Sequence, residues 1–312
     1  MEPLDGLPAG LTARPLVDED AAAVTALVAA NELADLGEVA IEEADIVGEW
    51  RRPSFDLAAS TVGVVAAGGL VGFAEWSGGD RADAAVHPDH HGRGLGTALA
   101  HWLQRVAASG GAARVGMPVP RGSAGDRLLA SLGWQVRWES WVLRLPEGRE
   151  VPARSLPAGH TVREAGPADR EAVWRVLEDA FLEWSDRERQ SLGDFAAQVW
   201  ERPGAAGWNL RVVTDDTGAV VGAVHVTGSD GYADVARVGV HRDHRRRGLA
   251  QALLADAFRA GREHGFPRAE LATDSRTGAL DLYLGVGMEV VQTWLNRAVE
   301  LPVPATDRVP GR

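Results

Sequence analysis

The second half of the chain reads as short apolar runs alternating with amphipathic stretches. Residues 159–164 alternate as a strand. Residues 167–180 predict a helix, with Pro167 in its first turn and Ala172, Val173, Val176, Leu177 and Phe181 along one face. A second helix falls near 191–200. Residues 210–213 and 220–226 form a hairpin turned at Asp215-Asp-Thr-Gly218. Residues 234–240 are another strand, and 248–262 are a long helix opened by glycine. A strand at 270–273, a helix at 277–285 and a closing pair of strands within 288–300 complete the order β-α-α-β-β-β-α-β-α-β-β. This is a mixed α/β pattern. The first half gives a similar order with less regular early helices.

The similarity is a duplication. Val86-His-Pro-Asp-His-His-Gly-Arg-Gly-Leu-Gly-Thr-Ala-Leu is echoed 154 positions later by Val240-His-Arg-Asp-His-Arg-Arg-Arg-Gly-Leu-Ala-Gln-Ala-Leu. The register holds at this offset, placing Arg105 on Arg259, Gly111 on Gly265 and Gly133 on Gly287. The Pro-rich stretch from Pro146 to Pro157 reads as a linker. The predicted domains are residues 1–148 and 158–302. A chain of 312 residues suits two domains of about 150 each.

Composition narrows the chemistry. There is no cysteine, which excludes disulfides, thiolate metal sites and thiol catalysis. Lysine is absent too, so every basic side chain is arginine or histidine, as in proteins from GC-rich genomes. A net charge of −12 argues against a nucleic-acid partner and suits either simple solubility or a cationic substrate. No stretch approaches the roughly 20 apolar residues of a membrane span. The opening segment has Glu2 and no apolar core, which predicts no signal peptide and a cytoplasmic enzyme. The histidines at 87, 90, 91, 241 and 244 lack the spacing of a metal-ligand set, so no metal is expected.

A strand followed by a basic, glycine-containing turn and a helix is an anion-binding design. The first helical turn leaves N–H groups without intrahelical partners, and the helix dipole adds positive potential. Glycine allows close backbone approach, and arginine adds charge-assisted hydrogen bonds to phosphate. The turn matches neither the P-loop nor the dinucleotide-binding glycine pattern. In the second copy it is Arg245-Arg-Arg-Gly248-Leu-Ala250, preceded by Val238-Gly-Val240 and followed by Tyr283-Leu-Gly-Val-Gly287-Met288. These elements resemble the acetyl-CoA motif of the GNAT N-acetyltransferase superfamily. The resemblance covers nearly the whole chain, twice. The two-copy layout is similar to that of the mycothiol synthases, a two-domain branch of the superfamily.

The resemblance implies roles. Val238, Gly239 and Val240 would offer backbone groups to the pantetheine arm. Arg245 takes the motif's first position, and the amides of Arg246, Arg247, Gly248, Leu249, Ala250 and Gln251 would hold the pyrophosphate. Ser275 or Arg276 stands where many members carry Asn. Tyr283 takes the position of the usual general acid. Asp234 stands where the mycothiol synthases carry a glutamate base. It is one methylene shorter, so a bridging water or Glu270 is the alternative. The first copy keeps Val86 and Gly92-Arg93-Gly94-Leu95-Gly96, so it could hold CoA. There Leu129 replaces Tyr283 and His91 replaces Arg245, while Asp80 falls on Asp234, and this copy is expected to be degenerate. Trp184 and Glu183 are the candidate acceptor contacts, since aromatics with acids suit a cationic amine. The expected reaction is acetyl transfer from acetyl-CoA to a primary amine of a small cationic molecule. Protein acetylation, a mycothiol-synthase-like reaction and non-catalytic acyl-CoA binding are the alternatives. The acceptor and the oligomeric state stay open.

Overall fold

The computed structural model describes residues 4–302; Glu2 lies outside them. The strands are β1 Thr12–Arg14, β2 Thr61–Ala66, β3 Gly69–Gly78, β4 Arg81–Val86, β5 Arg114–Pro120, β6 Gln135–Leu145, β7 Thr161–Glu164, β8 Leu210–Thr214, β9 Val220–Ser229, β10 Tyr232–Val240, β11 Arg268–Asp274 and β12 Glu289–Glu300. The helices are α1 Ala21–Leu36, α2 Glu43–Trp50, α3 Leu57–Ser60, α4 Leu95–Ser109, α5 Ala124–Ser131, α6 Arg170–Leu182, α7 Leu192–Gln198, α8 Leu249–Glu263 and α9 Leu280–Gly285. No described helix is long and apolar enough to cross a membrane.

The chain forms two compact units, and neither is a contiguous half. The first comprises Met1–Glu43, Phe55–Arg137 and Leu295–Arg312. The second comprises Ala44–Ser54 and Trp138–Trp294. In the first unit the strands run β1-β2-β3-β4-β5, and the end of β12 completes the edge. Leu301 N–H donates to Ala113 O at 2.8 Å, and Arg297 Nε to Asp126 Oδ1 at 2.6 Å. In the second unit the order is β7-β8-β9-β10-β11-β6. Here β6 runs antiparallel to β11 from Ala269↔Leu145 to Asp274↔Ser140.

Each strand that completes a sheet therefore comes from the other half of the sequence. The two closing strands expected in 288–300 are one continuous strand. Residues 289–300 contain no Gly or Pro to break it. Backbone hydrogen bonds are the same for any sequence, so periodicity does not say which strand takes an open edge.

The second unit buries its sheet on both faces. Against one face, α8 sets Leu249, Leu253, Leu254, Ala257 and Phe258 on Val213, Val224, Val226, Val235 and Val240. Against the other, α6 and α7 set Val173, Leu177 and Phe195 on Val212 and Ala223. A strand covered on both faces is apolar throughout, which is why β9 begins Val-Val-Gly-Ala-Val. Within it His225 is only 3% exposed.

Two irregularities position the site. First, β10 pairs with β11 only from Tyr232↔Arg268 to Val235↔Leu271. Beyond that, β10 stays with β9 to Val240 and β11 stays with β6 to Asp274, so the parallel strands part. Second, β10 carries a bulge. Val235 faces Val226 and Arg237 faces His225, which leaves Ala236 unpaired.

The bulge and a longer hairpin also break the ungapped repeat. Gly72 faces Val86 in the first unit, and Gly222 faces Val240 in the second. The inner strand keeps the offset of 154 while its hairpin partner is offset by 150. Asp80 consequently lies at a hairpin tip just before β4, whereas Asp234 lies within β10 opposite Thr227. The match of Asp80 to Asp234 read from the sequence does not survive in three dimensions.

Candidate functional site

The parted strands open a cavity of about 870 Å³ within the second unit. Its walls bring together most of the predicted residues. Val238, Gly239 and Val240 line it from β10, and Arg245, Arg246, Gly248, Leu249, Ala250 and Gln251 from the turn and start of α8. Tyr283 lines it from α9, and Glu183 and Trp184 from the chain just after α6. Arg247, Asp234, Glu270 and Ser275 are not among its lining residues. Ser275 is exposed, and Arg276 and Thr277 face the cavity in its place.

The turn before α8 is sharply wound. Gly248 caps α8 with φ +82°, in the left-handed region that favours glycine. Arg246 adopts φ +60° without being glycine. The first copy has Gly92 at the corresponding place, with φ +72°. Holding a side-chain-bearing residue there costs about 1 kcal/mol or more. Arg245 Nε donates to Val240 O at 2.9 Å, and its Nη atoms grip Glu183 at 2.7 and 2.8 Å. Arg245 thus ties the turn to the wall after α6 and is largely neutralised by Glu183.

Tyr283 is 6% exposed, and burial pushes its phenol up to about 12. The hydroxyl therefore keeps its proton throughout the neutral range. Among the described residues, the carboxylates on the wall, Glu183 and Asp274, are each paired with an arginine, and so is Glu270 behind it. Glu270 accepts from Arg144 Nε at 2.5 Å. Asp274 accepts from Arg276 Nη2 at 2.6 Å. Asp234 sits about 13 Å along the strand from Val238, taking 3.3 Å per residue.

Sequence reasoning missed several neighbours. Arg276 lies 3.5 Å over the ring of Trp138 and 4.9 Å from that of Trp184, whose ring in turn lies 5.2 Å from Phe181. Arg237 lines the cavity and donates to Gln198 Oε1 at 2.6 Å; Gln198 Nε2 donates to Glu49 on α2 at 2.5 Å. Nothing in local periodicity announces that α2 belongs to the second unit.

His225 lies opposite Arg237 on the neighbouring strand. Burial, with the charges of Arg237 and Arg202, lowers its pKa from 6.5 to about 3. The unfolded chain takes up a proton that the folded chain refuses. The stability that depends on neutral His225 is full above about pH 6.5 and is lost as pH falls toward 3. Urea melts at pH 7 and pH 4 should show a fall of roughly 1.4 kcal/mol per pH unit that His225→Gln removes. Equal slopes in the two proteins would refute this.

In the first unit the corresponding turn is differently furnished. His91 Nε2 lies 2.9 Å from Val86 O, where Arg245 stands in the second copy. A Cβ on Gly96 would lie 2.7 Å from Leu128 Cδ2, so that side chain occupies the space the glycine leaves. Leu129, at the place of Tyr283, is 3% exposed. Val86, Arg93, Gly94 and Leu95 sit around the start of α4. No group of three or more potential metal ligands occurs among the described residues.

In the second unit one parallel pair splays open beside a glycine-capped helix. The profile of the acetyltransferase (GNAT) family matches the chain twice, over residues 31–123 and 170–288. This chain belongs to the acetyltransferase (GNAT) family. It is 30% identical over 239 residues to a mycothiol acetyltransferase of Streptomyces coelicolor, a match spanning 72% of this chain and 75% of that protein. A GCN5-related N-acetyltransferase from Sphaerobacter thermophilus superposes with a TM-score of 0.71 at 27% identity, covering 95% of this chain and 97% of that one. A tandem GNAT protein from the clavulanic acid biosynthesis pathway gives 0.69 at 22% identity, covering 93% and 98%, a likeness of fold. The chain is thus an N-acetyltransferase with two GNAT domains.

Proposed function

We propose that the second unit transfers the acetyl group of acetyl-CoA to a primary amine of a small, cationic molecule by direct attack. The observation that carries this reading is the single cavity on which the α8 turn, the parted β10 and Tyr283 all converge.

The donor set fits a nucleotide thioester. The α8 amides and Arg246 suit a diphosphate, and the backbone of Val238–Val240, released from β11, suits an amide-bearing arm. Acetyl-CoA, when bound there, supplies an activated acyl group and a thiolate leaving group. Tyr283 Oη holds a proton that the departing sulfur needs. The attacking amine must arrive neutral. With Glu270 held by Arg144 and Asp234 off the cavity wall, its proton leaves through water toward Asp234 rather than by direct contact. Phe181 and Trp184 supply an aromatic wall that suits a cationic acceptor, beside Glu183 and Asp274, each of which is already paired with an arginine. In the first unit, Leu128 against Gly96 and Leu129 in place of a tyrosine support a degenerate, non-catalytic copy.

The names of the relatives favour a second reading, an acceptor like that of the mycothiol acetyltransferases. A thiol-release assay with acetyl-CoA and a panel of amines, including that acceptor, tests both readings. Saturable release with a cationic amine supports the first. Release confined to the mycothiol-type acceptor supports the second. No release with any amine overturns both.

A further inference from the structure

We infer that Arg154, from the segment between the two sequence repeats, is a binding residue for the diphosphate of CoA. This inference rests on the acetyl-CoA reading above.

The segment is fastened along α8 on both sides of Arg154. Glu150 pairs with Arg262 at 3.1 Å, and Val151 is buried in the α8 core. Gln251 Nε2 donates to Pro152 O at 2.7 Å, and Leu156 packs on the same core. Between these anchors the Arg154 side chain crosses Gly248. A Cβ built on that glycine would lie 2.5 Å from both Cδ and Nε of Arg154. Arg154 also lines the cavity. The missing side chain at 248 thus makes room for an arginine as well as for close approach of a ligand.

Charge accounting leaves two arginines on the cavity wall for a diphosphate, Arg246 of the turn, already assigned above, and Arg154. Arg245 is held by Glu183, and Arg247 turns back to Asp243 O at 3.2 Å. Arg154 has no ion-pair or hydrogen-bond partner among the described residues. An uncompensated guanidinium anchored beside unpaired helix amides has the fork geometry that a diphosphate accepts. No acetyl-CoA motif contains it, because it lies 94 residues before Gly248 in the chain.

The test is calorimetric titration of wild type, Arg154→Ala and Arg154→Lys with three probes. Loss of one charge-assisted hydrogen bond should weaken acetyl-CoA binding to Arg154→Ala by about ten- to a hundred-fold, with Arg154→Lys in between. The same factor should appear with 3′-dephospho-acetyl-CoA, which keeps the diphosphate. It should vanish with S-acetylpantetheine, which lacks it. Arg154 is exposed, so the variants should keep the wild-type melting temperature. Wild-type affinity in Arg154→Ala overturns the inference. So does a factor that persists with S-acetylpantetheine, or one that disappears with the dephospho compound. Failure of wild type to bind acetyl-CoA overturns the reading of the site and this inference with it.

Discussion

Replacing Tyr283 by Phe should lower kcat by about a hundred- to ten-thousand-fold while leaving acetyl-CoA affinity nearly unchanged. The substitution removes one oxygen from a side chain that is 6% exposed on the cavity wall, and it leaves the ring packed in the α8 core. What disappears is the proton on Oη. Burial raises that phenol to about 12, so the proton is present across the neutral range and is given up only to a strongly basic atom such as a departing thiolate. The wild-type kcat profile should accordingly show no loss from Tyr283 ionisation until the far alkaline side. The loss in Tyr283→Phe should be partly relieved by acyl donors whose thioesters carry a more acidic thiol, which leaves without being protonated. A wild-type kcat in Tyr283→Phe would remove this residue from the chemistry.

Gly248→Trp should abolish measurable acetyl-CoA binding, and Gly94→Trp should leave it intact. At Gly248 three effects act together. The backbone sits at φ +82°, which costs a side-chain-bearing residue about 1–3 kcal/mol. The first carbon of any side chain meets Arg154 at 2.5 Å. The rest of the indole fills the space where a ligand must approach the α8 amides. Gly94 has the same positive φ, +84°, but nothing within 4 Å of an added Cβ, and it belongs to the copy with Leu128 filling the space at Gly96. Titration of both variants, each checked by circular dichroism for retained fold, reads the result. Binding lost in Gly94→Trp and kept in Gly248→Trp would move the working site to the first unit.

The sequence by itself determined much of this protein. Strand and helix periods differ, 2 against 3.6, so the order of elements is written locally along each half. The duplication is a matter of identity at a fixed offset, and the resemblance of the basic turn before α8 and of Tyr283 beyond it to the family's motif is legible because each lies in a short contiguous stretch of sequence. Tertiary structure alone decided the rest. Which strand borders β11 depends on hydrogen bonds between residues more than 100 positions apart, such as Ala269 and Leu145, and those bonds carry no side-chain signature. The bulge at Ala236 moves Asp234 away from the place that an ungapped register gives it, because one extra residue in a strand reverses which face each neighbour takes. Arg154 looks like any linker arginine until Val151, Leu156 and the Gln251 hydrogen bond fasten it over Gly248. Glu49 looks like part of the first repeat until α2 joins the second unit through Gln198. Local pattern fixes what each segment becomes; long-range packing fixes which segments share a site.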